Sequence, residues 1–158
     1  LNADAMCYHL AAYGKKGKYA SAADAVKVMY QCIYELGMNH DDYKIVDGCC
    51  VSLYDYVSPD LLVAFLKYAY KHQEIRNVLY PALPIGGVDG TLKNRLENGN
   101  VRTNVHAKTG TVTGVSTLAG YLQTTQGHVL AFAIFNQNIL KDWRAQNCQD
   151  RICRMLAE

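Results

Sequence analysis

The sequence predicts an α+β chain in which an antiparallel sheet of three strands lies between helices. Two observations carry this expectation. Apolar residues recur at helical spacing in the first half and at the two-residue spacing of strands in the last third. The last of those strands is apolar on both faces, so both faces need a cover. At 158 residues the chain is the size of one domain or of a large part of one. Apolar residues make up 50% and charged residues 19%, which excludes a disordered charged tail. The net charge is +2 and no basic run exceeds Lys15-Lys16, so nucleic acid is not an expected partner. The longest apolar run, Val129 to Phe135, is strand-sized and far short of a membrane span. The 12 tyrosines suggest half-buried aromatics with a solvated hydroxyl end.

The elements follow in order. Leu1 to Tyr13 reads as a helix with Met6, Leu10 and Tyr13 on one face, ending near Gly14. Lys15 to Tyr19 reads as a polar loop. Ser21 caps a second helix, with Asp24 in the third helical position as a capping-box analogue. Ala22, Val26, Met29, Ile33 and Leu36 form its apolar stripe, and Gly37 stops it. Ser58-Pro59 starts a third helix that runs to about Lys71 and is apolar on most sides. Pro81, Pro84, Gly86, Gly87 and Gly90 make the stretch from Tyr80 to Gly90 irregular, and a short helix from about Thr91 to Leu96 follows. Val101–Val112, Ser116–Thr124 and His128–Gln137 read as strands, with Gly114 and Gly127 in hairpin connections. In the third strand Val129, Ala131, Ala133 and Phe135 share one face, and Leu130, Phe132 and Ile134 share the other. A closing helix with Ile139, Leu140, Trp143, Cys148, Ile152, Met155 and Leu156 at helical spacing covers one face, and the upstream helices cover the other.

Metal and cofactor signals are lacking. The 6 cysteines contain no C-x-x-C, and their spacing suits buried thiols acting as small hydrophobes. The 5 histidines have no i,i+4 partner and no carboxylate at ligand spacing. No cofactor or metal is expected. Asp89-Gly90-Thr91 reads as a helix cap rather than a phosphate site.

The sharpest signal is His106-Ala107-Lys108-Thr109-Gly110-Thr111-Val112 within the first strand. Buried strands avoid Lys, and a strand Gly often marks close approach by a ligand or another backbone. Lys108, Thr109 and Gly110 offer an ammonium, a hydroxyl and an open backbone together, which suits a ligand carboxylate beside an extended peptide. An edge lysine followed by a bulge is the plain structural reading of the same residues. His106 alternates onto the same face as Lys108 and is a candidate to line the cleft.

K-T-G on a strand is the third motif of the penicillin-binding and serine β-lactamase group, after S-x-x-K and S-x-N. The stretches Val46 to Tyr54, Val57-Ser58-Pro59, Leu83 to Leu92, Asn104 to Thr111 and Gly114 to Tyr121 stand in the order and spacing of the class C low-molecular-mass penicillin-binding proteins. The chain resembles these D-alanyl-D-alanine carboxypeptidase/endopeptidases over nearly its whole length. The resemblance implies a partial serine β-lactamase/transpeptidase-like fold, with residues 1–158 as its C-terminal portion. Asn2 stands where the Asn of S-x-N would be, the Ser falling just before Leu1. The chain opens on Leu1 without a signal-peptide pattern, and none of its serines has the Lys of S-x-x-K, so an N-terminal portion with the nucleophile is expected. Two departures stand out: Gly48-Cys49-Cys50 replaces a Gly-Ser-Gly-like segment, and Asp55 stands where the family tends to have Asn.

By the same resemblance, a Ser attacks the carbonyl between two D-alanines of a peptidoglycan stem peptide or cross-link, and the acyl-enzyme is hydrolysed. Lys108 and Thr109 would hold the terminal carboxylate, Gly110 would leave the backbone open, and the Thr111 N–H would be one oxyanion donor. Asn2 would touch the substrate's amide backbone. β-Lactams would acylate the same Ser, and the setting would be the periplasm or cell envelope. A catalytically empty scaffold that binds a peptide or a partner is the alternative, and an unrelated α/β binding domain with a chance K-T-G is a third reading. The absent strands are expected beside the third strand, an edge that would otherwise promote self-association.

Overall fold

A computed structural model describes residues 2–13, 19–49 and 52–158. The element order is α1 (Asn2–Ala12), α2 (Ala22–Glu35), α3 (Pro59–Lys71), α4 (Gln73–Ala82), β1 (Val105–Val112), β2 (Val115–Gln123), β3 (Val129–Gln137) and α5 (Asp142–Leu156). The chain divides into two compact units, Leu1–Leu61 and Leu62–Glu158. Gly14, the loop residues Lys15 to Lys18 and Cys50 lie outside the described residues.

In the first unit α1 meets α2. The face of Met6, Leu10 and Tyr13 is not the one that packs: Tyr13 is 91% exposed and Met6 72%. α1 turns inward the narrow side that holds half-buried Asp4 and Cys7 and buried Ala11, where small side chains allow close approach. α2 begins as expected. The Ser21 hydroxyl accepts the Asp24 N–H at 3.3 Å, and the Asp24 carboxylate accepts the Ser21 N–H at 3.0 Å. Ile33 is its fully buried anchor, and Gly37, at φ +79°, leaves the helix in the left-handed region. A backbone bridge between Lys44 and Tyr56 closes the loop that holds Gly48 and Asp55. A Cβ at Gly48 would lie 2.1 Å from Cys7 Sγ, so only glycine fits against α1 there.

The second unit is a sheet of order β1-β2-β3, antiparallel throughout. Thr113 and Gly114 make a two-residue hairpin between Val112 and Val115, with Gly114 at φ +79°. One sheet face carries Val105, Ala107, Leu118, Leu122 and Phe132, with Leu130 and Ile134 at its margin. It packs on Cys153 and Ala157 at the end of α5 and on Leu92, Leu96 and Val101 from the chain before β1. Each large side chain buried there contributes roughly 1.5–3 kcal/mol. The opposite face is met by α3 and α4. The Tyr121 hydroxyl donates to the Leu66 carbonyl at 2.8 Å, and Tyr80 stacks on His106 with ring centroids 4.3 Å apart. Burial and the neighbouring Tyr70 push the Tyr80 and Tyr121 hydroxyls above the usual phenol range. The three-stranded sheet between helices is therefore as expected.

Three expectations need correction. α4 was not expected as a helix; it ends at Ala82 with Pro81 inside its last turn, and the rest of the stretch expected to be irregular, residues 83–90, is turns and a bridge. The expected helix from Thr91 to Leu96 is only a 3₁₀ turn at Gly90–Leu92. The Gly87 N–H takes the carbonyls of Leu92 and Arg95, and Leu96 turns to φ 56°, so the chain cannot continue as a helix. Most of the apolar residues expected to face the core from α5 lie outside it instead: Met155 is 72% and Trp143 57% exposed, and Leu140, 96% exposed, precedes the helix. Its buried side is Ala145, Gln149, Asp150 and Cys153, a partly polar stripe held by hydrogen bonds and an ion pair. The cysteines also divide: Cys153 is buried, with its thiol pushed up to about 12 chiefly by burial, whereas Cys148 is exposed.

Candidate active site

β1 starts at Val105 rather than Val101, because Gly99–Val101 form a 3₁₀ turn and residues 102–104 a further turn with Thr103 at φ 64°. Its outer edge is covered first and open later. The Ala107 N–H donates to the Pro84 carbonyl at 2.9 Å, and the Gly86 N–H donates to the Val105 carbonyl at 2.9 Å. A bridge pairs Ile85 with His106 in the middle of this contact. The odd-numbered backbone groups of β1 thus face away from β2, and strand alternation turns the N–H and C=O of Thr109 and Thr111 the same way. Among the described residues, no backbone hydrogen bond covers this edge beyond Ala107.

The K-T-G residues converge on that open edge from both sides. Lys108 is exposed, and its ammonium donates to the Thr109 carbonyl, an edge-facing group. Thr109 lies on the opposite face, half-buried, with its hydroxyl 2.9 Å from that of Thr91. Gly110 pairs with Thr117, and a Cβ on Gly110 would lie 2.5 Å from the Thr117 hydroxyl. That hydroxyl donates to the Gly110 carbonyl at 3.4 Å, on the side away from the open edge. A cation, a hydroxyl and backbone donors and acceptors that no strand pairs therefore stand within one stretch of strand. Such an edge can take up an extended peptide by strand addition, with the charge and hydroxyl serving a carboxylate.

His106 does share its strand face with Lys108, and its ring is held by stacking on Tyr80. Asp89 is not a side-chain cap. Its carboxylate accepts the Ile85 N–H at 2.7 Å and closes the turn before Thr91. Thr91 is the site neighbour that sequence reading missed, since Asp89-Gly90-Thr91 resembles an ordinary cap. Asn2 belongs to the first unit, where it opens α1 with its side chain exposed. No group of three or more metal-ligating side chains occurs among the described residues.

The D-Ala-D-Ala carboxypeptidase 3 (S13) family matches residues 1–158. The chain belongs to this family. Among S13-type relatives, the D-alanyl-D-alanine carboxypeptidase DacB of Haemophilus influenzae is 30% identical over 125 residues, covering 78% of this chain and 25% of that protein. The crystal structure of penicillin binding protein 4 (dacB) from Haemophilus influenzae superposes with a TM-score of 0.86 at 28% identity, over 99% of this chain and 36% of that one. A second structure of that protein, complexed with a β-lactam, gives a TM-score of 0.81 at 28% identity over 98% of this chain and 36% of that one. The chain thus spans 25% of that curated relative and 36% of the chain in each of those two structures. No helix among the described residues is long and apolar enough to cross a membrane.

Proposed function

We propose that this chain is the C-terminal portion of the transpeptidase-like domain of a serine D-alanyl-D-alanine carboxypeptidase/endopeptidase. The observation that carries the reading is the K-T-G motif on the open edge of β1, in a chain matched to the S13 family over residues 1–158. The substrate is a peptidoglycan stem peptide or cross-link, and the setting is the periplasm or cell envelope. The nucleophilic Ser comes from an N-terminal portion that carries S-x-x-K, whose Lys takes the hydroxyl proton. The Ser oxygen bonds to the carbonyl carbon between two D-alanines, the C–N bond breaks, and the terminal D-alanine leaves with a proton. Water then cleaves the ester. Lys108 and Thr109 hold the terminal carboxylate by charge-assisted hydrogen bonds. Gly110 leaves the backbone open between Thr109 and Thr111, and its missing Cβ makes room for the Thr117 hydroxyl. The Thr111 N–H serves the oxyanion, with a second donor from the nucleophile's own backbone. Asn2 contacts the substrate amide. β-Lactams acylate the same Ser.

The test is labelling with a fluorescent penicillin. The whole protein is expected to take a stoichiometric, heat-stable label, and the 158-residue chain alone is expected to take none, because no serine in it has the Lys of S-x-x-K. A covalent label on the isolated chain would overturn the assignment of the nucleophile to another portion.

A further inference from the structure

We propose that Thr91 is a positioning residue for this site, orienting the Thr109 hydroxyl toward the substrate's terminal carboxylate. The inference rests on the reading of Thr109 as a carboxylate contact.

Residues 84–92 form a strap built to deliver Thr91. The strap lies along β1 through Pro84, Ile85 and Gly86 and ends its pairing at Ala107. It then folds back on itself. The Val88 and Asp89 N–H groups donate to the Ile85 carbonyl at 3.1 and 3.3 Å, and the Asp89 carboxylate accepts the Ile85 N–H at 2.7 Å. Gly90 follows at φ +51°, where a Cβ would press on the Pro84 ring at 3.1 Å. Leu92 is fully buried in the core and its carbonyl accepts the Gly87 N–H at 3.0 Å. Thr91 is thus pinned between a closed turn and a buried anchor, and its hydroxyl comes 2.9 Å from that of Thr109.

A hydroxyl has one proton to give. The Thr109 hydroxyl donates to that of Thr91. When a carboxylate binds, Thr109 must donate to it instead, and Thr91 reverses to donate to Thr109. The reversed pair leaves the Thr109 proton no acceptor but the ligand, and the chain of two hydrogen bonds strengthens both.

The experiment uses the whole protein with Thr91→Val, Thr91→Ser, Thr109→Val and the double Val variant. Second-order acylation rates are measured with a fluorescent penicillin and with its methyl ester, alongside thermal midpoints. Thr91→Val is expected to slow acylation by the acid about fivefold, the scale of one neutral hydrogen bond, and to leave the ester within about twofold. Thr91→Ser is expected to restore the acid rate, and the double variant to be no slower than Thr109→Val alone. Where Thr91→Val fails to fold, Thr91→Ala carries the same comparison. An unchanged acid rate in Thr91→Val beside a slowed Thr109→Val overturns this inference alone, as does equal slowing of acid and ester. An unchanged rate in Thr109→Val overturns the reading of the site itself.

Discussion

Arg95 and Asp150 meet with Nη2 and Oδ1 2.6 Å apart, and their side chains are only 11% and 10% exposed. The pair ties the chain just after the strap to α5. The same Arg95 nitrogen also donates to Gln149 Oε1 at 3.0 Å, and Gln149 Nε2 donates to the Ser116 carbonyl at 3.1 Å and to Asn136 Oδ1 at 2.9 Å. One network therefore links the strap end, the closing helix, β2 and β3. Removing one member of a buried pair strands the other charge. Arg95→Ala is expected to destabilise the second unit by about 3–5 kcal/mol, and an apolar pair such as Arg95→Met with Asp150→Leu by much less. Urea unfolding of the single and double variants measures both.

Asp55 supplies a prediction in the first unit. Its Oδ1 accepts the Val46 N–H at 2.6 Å and the Asp47 N–H at 3.4 Å, and its buried Oδ2 has no hydrogen-bond partner among the described residues. Burial, with the Asp47 charge adding to it, pushes the Asp55 carboxyl above the usual range despite the backbone donors. A raised folded pKa means that the folded state holds the proton more tightly. The associated stability is fully present below the ordinary Asp value near ~3.9 and is lost as pH rises through the folded value. Asp55→Asn keeps the acceptor for Val46 and removes the charge that burial and Asp47 disfavour. It is expected to unfold at a higher temperature than the parent at pH 7 and to lose that advantage on acidification. Melting curves from pH 3 to 7 measure this, and a lower midpoint for the variant at pH 7 would contradict it.

The strands and four of the helices, α1, α2, α3 and α5, were legible because their signals are local. Ser21 with Asp24, Ser58-Pro59 and the alternation from Val129 to Phe135 each act within a few residues. What escaped depends on partners distant in sequence. The buried side of α5 is polar because Arg95 reaches Asp150 across 55 positions, so apolar spacing misled there. α4 was hidden by Pro81, which read as a breaker although it falls in the helix's last turn. Within the site, Lys108-Thr109-Gly110 is contiguous and readable, whereas Thr91 joins it only through the strap that pairs Pro84 with Ala107.

The second sheet edge motivates another prediction. β3 pairs with β2 on one side, and no strand covers its other side among the described residues. The 158-residue chain by itself is expected to associate through that edge. Sedimentation over a range of concentrations would show the average mass rising, and a monomer at every concentration, with no dye bound to apolar surface, would contradict it.

The central claim is that Lys108 stands at the open edge of β1 to hold a substrate carboxylate. The most direct measurement is the second-order rate of acylation of the whole protein by a fluorescent penicillin, with Lys108 and with Lys108→Ala. Loss of one charge-assisted contact of about 1.5–3 kcal/mol predicts a rate roughly ten- to a hundredfold slower, with the fold retained. An unchanged rate would mean that Lys108 is no more than an edge lysine on a strand.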